Sequence, residues 1–85
     1  MKPVEIYTTP FCPYCVAAKR LLAKKGVKFT ETDVSRDPGL RQAMTTRARG
    51  KRSVPQIFIG GKHVGGSDDL HALDHRGQLD SLLAG

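Results

Sequence analysis

The chain has no tryptophan, only two cysteines and no long apolar run in its 85 residues. Two cysteines are too few for the several disulfides that hold together a small secreted scaffold. No stretch approaches the roughly 20 apolar residues that span a membrane, and Glu5 interrupts the apolar region that a secretory signal needs. We therefore expect a soluble, cytoplasmic protein with no membrane partner.

Length and composition limit the protein to one small core. With 85 residues, of which 39% are apolar, the chain fills a single domain, residues 1–85, because a second core would have too little apolar surface. Nine glycines and five prolines lie below the share that is typical of low-complexity chains. We expect a compact two-layer domain and a monomer.

Positive charge exceeds negative charge, with 14 Lys and Arg against 8 Asp and Glu and a net charge of +6. This balance favours an anionic partner, and nucleic acid is the first candidate. Only residues 47–52 form a true basic cluster, and no aromatic residue that could stack on a base is interleaved with it. We therefore predict that nucleic acid is not a partner.

Alternating and helical patterns of apolar residues predict the element order βαβαββα, an α/β fold. The predicted strands are residues 4–8, 27–31, 56–59 and 62–65, and the predicted helices follow Cys12, Asp37 and the cap residue Ser67. Because a helix joins the first two strands, these should be parallel, whereas the turn at residues 60–61 predicts a hairpin. Leu79, Leu82 and Leu83 continue or follow the last helix after Gly77.

The two cysteines, Cys12 and Cys15, stand three residues apart at the start of the first helix. This spacing places them on one helix face, close enough for a disulfide to form and open. Cys12 is at the predicted N-cap, where backbone N–H groups favour a thiolate, although Pro13 removes one donor. Cys15 lies inside the helix and should be more buried. We therefore predict that Cys12 is the nucleophile and Cys15 the resolving thiol.

Two other interpretations of the cysteine pair remain open at this point. The thiols could be inert, or they could form half of a zinc site whose other ligands come from His63, His71 and His75. His71 and His75 share a helix face, but they lack the strand-and-turn pattern of a zinc motif. The helix-start position favours a redox pair, and we expect no metal.

Three motifs occur in the order typical of one family. They are Cys12-Pro13-Tyr14-Cys15, Ser53-Val54-Pro55 and residues 65–69, Gly-Gly-Ser-Asp-Asp. Over essentially its whole length the chain resembles a dithiol glutaredoxin of the short bacterial glutaredoxin 3 type. The resemblance implies a thioredoxin-like fold with a four-stranded mixed sheet flanked by helices. It also implies that glutathione serves as reductant for protein disulfides and glutathionylated proteins.

The same resemblance implies where glutathione contacts the chain. The implied contacts are Tyr14 beside the ligand, Val54 through its backbone, Pro55 as a cis-proline facing the dithiol, and Gly66, Ser67 and Asp68 around the γ-glutamyl end. Ser53 keeps the hydroxyl of the threonine that is usual in the family. Thr9 stands where many members carry a lysine, so the glycyl carboxylate needs another cation, and Arg49, Lys51 and Arg52 are the candidates.

Two further functions stay open as alternatives. One is a glutaredoxin-like redoxin reduced by thioredoxin reductase, although such proteins tend to carry a tryptophan near the C-terminus and this chain has none. The other is an iron–sulfur cluster carrier, in which one cysteine and glutathione bind the cluster. Pro13 and the second cysteine fit that function poorly.

Overall fold

The computed structural model describes residues 1–84, which form four strands and four helices in the order βαβαββαα. The strands are β1 (Val4–Thr8), β2 (Phe29–Asp33), β3 (Gln56–Ile59) and β4 (Lys62–Gly65). The helices are α1 (Pro13–Lys24), α2 (Pro38–Arg47), α3 (Ser67–His75) and α4 (Leu79–Ala84). Among these described residues, no helix is both long and apolar enough to cross a membrane.

The strands form one mixed sheet in the order β2-β1-β3-β4. β1 and β2 are parallel, with α1 as the crossover between them, whereas β3 is antiparallel to both β1 and β4. Gly60 and Gly61 have φ values of +59° and +79°, which a two-residue hairpin turn requires and which glycine adopts without steric cost. The predicted parallel pair, hairpin and four-stranded mixed sheet are confirmed.

The second strand is Phe29–Asp33 instead of residues 27–31, so both of its predicted ends are wrong by two residues. Gly26, at φ +72°, turns the chain out of α1, and the N–H of Val27 then donates to the carbonyl oxygen of Leu22 at 3.1 Å. Val27 packs in the core as part of this helix-ending turn. The alternating pattern of apolar and polar residues therefore included Val27, which belongs to the helix-ending turn, in the predicted strand.

Both ends of α3 depend on glycine. Gly77, at φ +69°, ends α3, so the C-terminal leucines form the separate helix α4 instead of extending α3. At the other end Gly66 is the N-cap and Ser67 the first helical residue, so the predicted Ser67 cap is wrong by one position. The reason is Asp69, whose carboxylate accepts a hydrogen bond from the Gly66 N–H at 2.9 Å and closes the first turn.

Helices cover both faces of the sheet. On one face Ile57 packs with Leu22 of α1 and Leu70 of α3, and these three side chains are fully buried. Neighbouring residues of a strand point to opposite faces, so Phe58 lies on the other face. There the Arg47 guanidinium of α2 stands 4.0 Å from the centroid of the Phe58 ring. The core therefore has a larger layer under α1 and α3 and a smaller one under α2.

Arg47 belongs to the basic cluster of residues 47–52, but the fold itself uses its charge. Its guanidinium contacts the Glu5 carboxylate at 2.9 and 3.3 Å and donates to the Tyr7 hydroxyl at 2.9 Å. The hydrogen bond from Arg47 is the main reason that the pKa of Glu5 lies below its ordinary value. Because Arg47 also stacks on Phe58, it ties α2 to the sheet instead of offering its charge to a ligand.

Polar contacts fasten the C-terminal part to the rest of the molecule. The Lys2 N–H donates to the carbonyl oxygen of Leu83 at 2.9 Å, just before β1 begins. The Lys25 ammonium lies 2.7 Å from the Asp74 carboxylate and 3.1 Å from that of Asp80. The end of α1 is therefore linked to both α3 and α4.

We predict that Leu22→Ala lowers the free energy of unfolding by about 2–5 kcal/mol, because it leaves a cavity in the main apolar layer. The matched control is Leu40→Ala on α2, where the side chain is 39% exposed, and its loss should stay below about 1 kcal/mol. Urea denaturation followed by circular dichroism measures both values. Equal losses in the two variants would contradict this assignment of the core.

Candidate active site

The first turn of α1 is built around the sulfur of Cys12. Cys12 has extended backbone angles, φ −121° and ψ 104°, and is the N-cap, with Pro13 at the first helical position. Its Sγ accepts a hydrogen bond from the N–H of Cys15 at 3.1 Å. A helix start leaves N–H groups without partners inside the helix, and here sulfur takes the place of the usual serine or aspartate oxygen.

The two thiols have different surroundings. Cys12 is partly exposed, whereas Cys15 is 1% exposed. Burial, reinforced by the hydrogen bond with Cys12, raises the pKa of the Cys15 thiol to about 11. At neutral pH Cys15 therefore stays in its neutral thiol form, which is not nucleophilic, whereas Cys12 is accessible to solvent. The site therefore has one accessible sulfur and one protected sulfur.

Cys12 faces the loop that precedes β3. The Val54–Pro55 peptide bond is cis, and the Cys12 thiol donates to the carbonyl oxygen of Val54 across 3.8 Å. Backbone pairing between β1 and β3 begins at Gln56, so Val54 lies outside the register of the sheet. The structure therefore places the backbone of Val54 beside the sulfur and beyond the end of the strand.

A groove of about 260 Å³ opens beside this contact. Its walls are Tyr14, Lys51, Ser53, Val54, Pro55, Gln56, Gly66, Ser67, Asp68 and Asp69. Apart from the candidate cations Arg49 and Arg52, the groove brings together all of the residues predicted to surround glutathione. Arg52 is exposed, and its carbonyl oxygen accepts a hydrogen bond from the Arg41 guanidinium at 2.8 Å. Of the three candidate cations, Lys51 is the one that lines the groove.

The start of α3 forms one end of the groove and needs glycine next to it. Gly65 has φ +122°, and a Cβ at this position would collide with the Asp69 carboxylate. That carboxylate is already held by the N–H of Gly66. Asp69 therefore does the capping, whereas Asp68 is exposed in the groove wall and is not needed for it.

Gln56 is a groove residue that the sequence did not indicate, because it stands in a strand of otherwise apolar residues. Its side-chain N–H₂ donates to the carbonyl oxygen of Ser53 at 2.9 Å and to the Ser53 hydroxyl at 3.3 Å. Its carbonyl oxygen then accepts from Nε2 of His63 at 2.7 Å, which assigns the proton to that nitrogen. Gln56 thus braces the loop that carries Val54 and Pro55.

Two of the three histidines considered as zinc ligands, His63 and His71, have partners within the fold. Besides its bond to Gln56, His63 packs against Phe58, with ring centroids 5.1 Å apart, and burial lowers its pKa. His71 contacts the backbone oxygen of Ser67 through Nδ1 at 2.8 Å. Within residues 1–84 no three Cys, His, Asp or Glu side chains come together in a way that could hold a metal ion.

We predict that iodoacetamide at pH 7 modifies Cys12 and leaves Cys15 unmodified. With a pKa of about 11, roughly one Cys15 thiol in ten thousand is ionised at that pH, and its burial also blocks the reagent. Mass spectrometry of tryptic peptides locates the label. The control is Cys12→Ser, in which Cys15 should stay unlabelled in buffer and react in urea. Comparable labelling of the two thiols in native protein would refute this difference.

Comparisons with known proteins agree with this geometry. The profile of the Glutaredoxin family matches residues 4–64. Glutaredoxin 3 of Escherichia coli is 53% identical over 83 residues, which cover 98% of this chain and 99% of that protein. The solution structure of glutaredoxin from Brucella melitensis has a TM-score of 0.86 at 58% identity and covers 98% of this chain and 89% of that one.

A crystal structure of a buckwheat glutaredoxin–glutathione complex has a TM-score of 0.88 at 28% identity, covering 98% of this chain and 77% of that one. The thioredoxin-like fold that the motifs implied is therefore confirmed, and so is the resemblance to the short bacterial glutaredoxins. The cysteine pair that such proteins use is present here as Cys12 and Cys15. The chain belongs to the glutaredoxin family and is a thiol–disulfide oxidoreductase that works through this pair.

Proposed function

We propose that the protein uses glutathione to reduce protein disulfides and glutathione mixed disulfides, with Cys12 as the attacking thiol and Cys15 as the resolving thiol. The groove beside the Cys12 sulfur carries this proposal, because its walls supply a partner for each polar end of glutathione. The existence of a glutathione complex of the structurally similar buckwheat glutaredoxin supports it.

The proposed contacts follow from the chemistry of the groove. Glutathione is a peptide-like anion, and the backbone of Val54 can pair with it as an added strand does. The N–H groups at the start of α3 suit the γ-glutamyl carboxylate, and the Asp68 carboxylate suits the neighbouring ammonium. The Lys51 ammonium suits the glycyl carboxylate. Tyr14 supplies an apolar wall beside the cysteines.

For a glutathione mixed disulfide, the Cys12 thiolate attacks the glutathione sulfur. The Cys12–glutathione bond forms, the original S–S bond breaks, and the substrate leaves as a thiolate that takes a proton from water. A second glutathione thiolate then attacks the glutathione sulfur on Cys12, which regenerates the Cys12 thiolate and releases glutathione disulfide. This route does not use Cys15.

For a protein disulfide, Cys12 attacks one substrate sulfur and the other leaves as a thiolate. Cys15 then loses its proton to water and attacks the Cys12 sulfur, which forms the Cys12–Cys15 disulfide. The bond between Cys12 and the substrate breaks, and the substrate sulfur leaves as a thiolate that takes up a proton. Two glutathione molecules reduce this disulfide and become glutathione disulfide. The hydrogen bond from the Cys15 N–H keeps the two sulfurs within reach of each other.

We also propose that residues 1–85 act as one monomeric domain in the cytoplasm, with glutathione as co-substrate and with no metal, nucleic acid or membrane partner. One continuous apolar cluster joins β1, β3, α1, α3 and α4, which supports a single folding unit. A dithiol reduced by glutathione needs a reducing compartment, which supports the cytoplasm. Sedimentation, metal analysis and a nucleic-acid binding titration test these points.

Coupled assays separate the proposed activity from its two alternatives. We expect NADPH oxidation with glutathione and glutathione reductase on a mixed disulfide substrate, and none with thioredoxin reductase alone. The reverse result would identify a redoxin that does not use glutathione. Visible absorbance bands in freshly purified protein would instead indicate an iron–sulfur cluster.

We predict that Cys12→Ser abolishes both activities, whereas Cys15→Ser loses protein disulfide reduction and keeps removal of glutathione from mixed disulfides. The reason is that glutathione replaces Cys15 in the mixed-disulfide route but nothing replaces the attacking thiol. Steady-state rates on a small glutathione mixed disulfide and on a protein disulfide measure the two routes. Equal loss of both activities in the two variants would contradict the assigned roles.

We predict that Lys51→Ala raises the KM for a glutathione mixed disulfide about three- to tenfold while kcat stays nearly constant, because an ion pair outside the reacting atoms contributes uniform binding. The effect should shrink at 0.5 M salt, which screens the attraction. Arg52→Ala is the matched control, since it removes an equal charge from the neighbouring position outside the groove. An equal rise in KM for both variants would mean that net charge alone attracts the substrate.

A further inference from the structure

Phe11, the residue just before Cys12, has a fully exposed side chain, with 100% relative exposure. Tyr14, at 63%, and Val16, at 42%, are further exposed apolar side chains at the start of α1. Single exposed apolar residues are common on protein surfaces. Phe11, however, directly precedes Cys12, where a reaction partner must approach. Because the Phe11 ring does not pack in the core, core packing does not explain why a phenylalanine stands at this position.

The exposure of Phe11 does not come from a long flexible loop. Residues 10 and 11 form the short turn between the end of β1 and the cap of α1. Pro10 lies in this turn and Pro13 is the first residue of α1, and each proline ring fixes its own φ angle. The ring of Phe11 is therefore held beside Cys12 on a restricted backbone, and a partner that covers it has little backbone entropy to remove.

The reaction itself brings a polypeptide to this ring. A bond of about 2.05 Å must join the Cys12 sulfur to a substrate sulfur, and the Cα atoms of Phe11 and Cys12 are only about 3.8 Å apart. We propose that Phe11 is a specificity-determining residue that contacts polypeptide disulfides with an apolar residue next to the reacting cysteine. This inference rests on the proposed role of Cys12 as the attacking thiol.

The contact acts during the first exchange step. The Cys12 thiolate bonds to one sulfur of the polypeptide disulfide, whose other sulfur departs as a thiolate and takes a proton from water. While the mixed disulfide lasts, the residues beside the substrate cysteine lie against Phe11, and an apolar side chain there removes the ring from water. Cys15 then displaces the substrate, so two electrons pass from the Cys12–Cys15 dithiol to the polypeptide.

The test compares two cyclic peptides that each contain one disulfide and differ only in having leucine or serine beside the cysteines. Prereduced protein reacts with each peptide in a single turnover, without glutathione, and the second-order rate constant is measured. We expect the wild-type protein to prefer the leucine peptide about 5–20-fold. Phe11→Ser should reduce this preference to less than about twofold and leave the serine-peptide rate within about twofold of wild type.

Two further variants identify the source of the preference. Phe11→Leu keeps an apolar side chain and should retain most of it, and Leu40→Ser, which removes an exposed leucine from α2, should retain all of it. A preference that persists in Phe11→Ser, an equal loss on both peptides, or self-association that depends on Phe11 would overturn the inference. Because the assay omits glutathione, its result can be interpreted even if the protein does not use glutathione. If the wild-type protein shows no exchange with either peptide, the proposed role of Cys12 is contradicted instead.

Discussion

The hydrogen bond from the Cys15 N–H to the Cys12 sulfur is the constraint on which the site depends. Because sulfur caps α1, Cys12 cannot leave the helix start without opening the first turn, and the same turn carries Cys15 into the interior. Further along α1, Leu22 packs in the apolar core, and this packing fixes the direction of the helix. A single helix start thus sets which thiol meets solvent and which stays neutral.

The sheet explains how three distant segments reach that sulfur. Because β1 and β3 are antiparallel, Tyr7 near the end of β1 lies opposite Gln56 at the start of β3. Because β3 and β4 are antiparallel, the end of β4 at Gly65 lies opposite Ile57. The cap of α1, the cis-proline loop and the start of α3 therefore share one edge of the sheet. Gln56 links this edge to β4 through His63.

Local signals made most of the fold predictable, and the misses have physical causes. Residues that set a backbone direction by themselves, such as Pro13 and the glycines of the hairpin, marked their elements correctly. The start of β2 was predicted too early because Val27, a buried apolar residue after a helix, continues the alternating pattern of the strand. Gln56 carried no local sign, since its role is to hydrogen-bond across the loop.

The groove cation also could not be selected from the sequence. Neighbouring Lys51 and Arg52 have the same charge, and their directions depend on the turn in which Arg49 and Gly50 have φ values of +58° and +91°. The sequence also places Arg47 in this basic cluster, although its guanidinium pairs with Glu5 and lies over the rings of Tyr7 and Phe58. Motif order located the site, whereas only the tertiary structure shows that Lys51 lines the groove and that Arg47 belongs to the scaffold.

The hydrogen bond between Lys2 and Leu83 brings the two ends of the described chain side by side at the far end of β1 from Cys12. The five residues of β1 separate that point from the reactive edge by about 17 Å. A short linker from residue 83 to residue 2 would close the backbone into a ring, so the fold suits circular permutation with new ends opened in an exposed loop. Anchored to a solid support at either end, the molecule would present its reactive thiol to the solution.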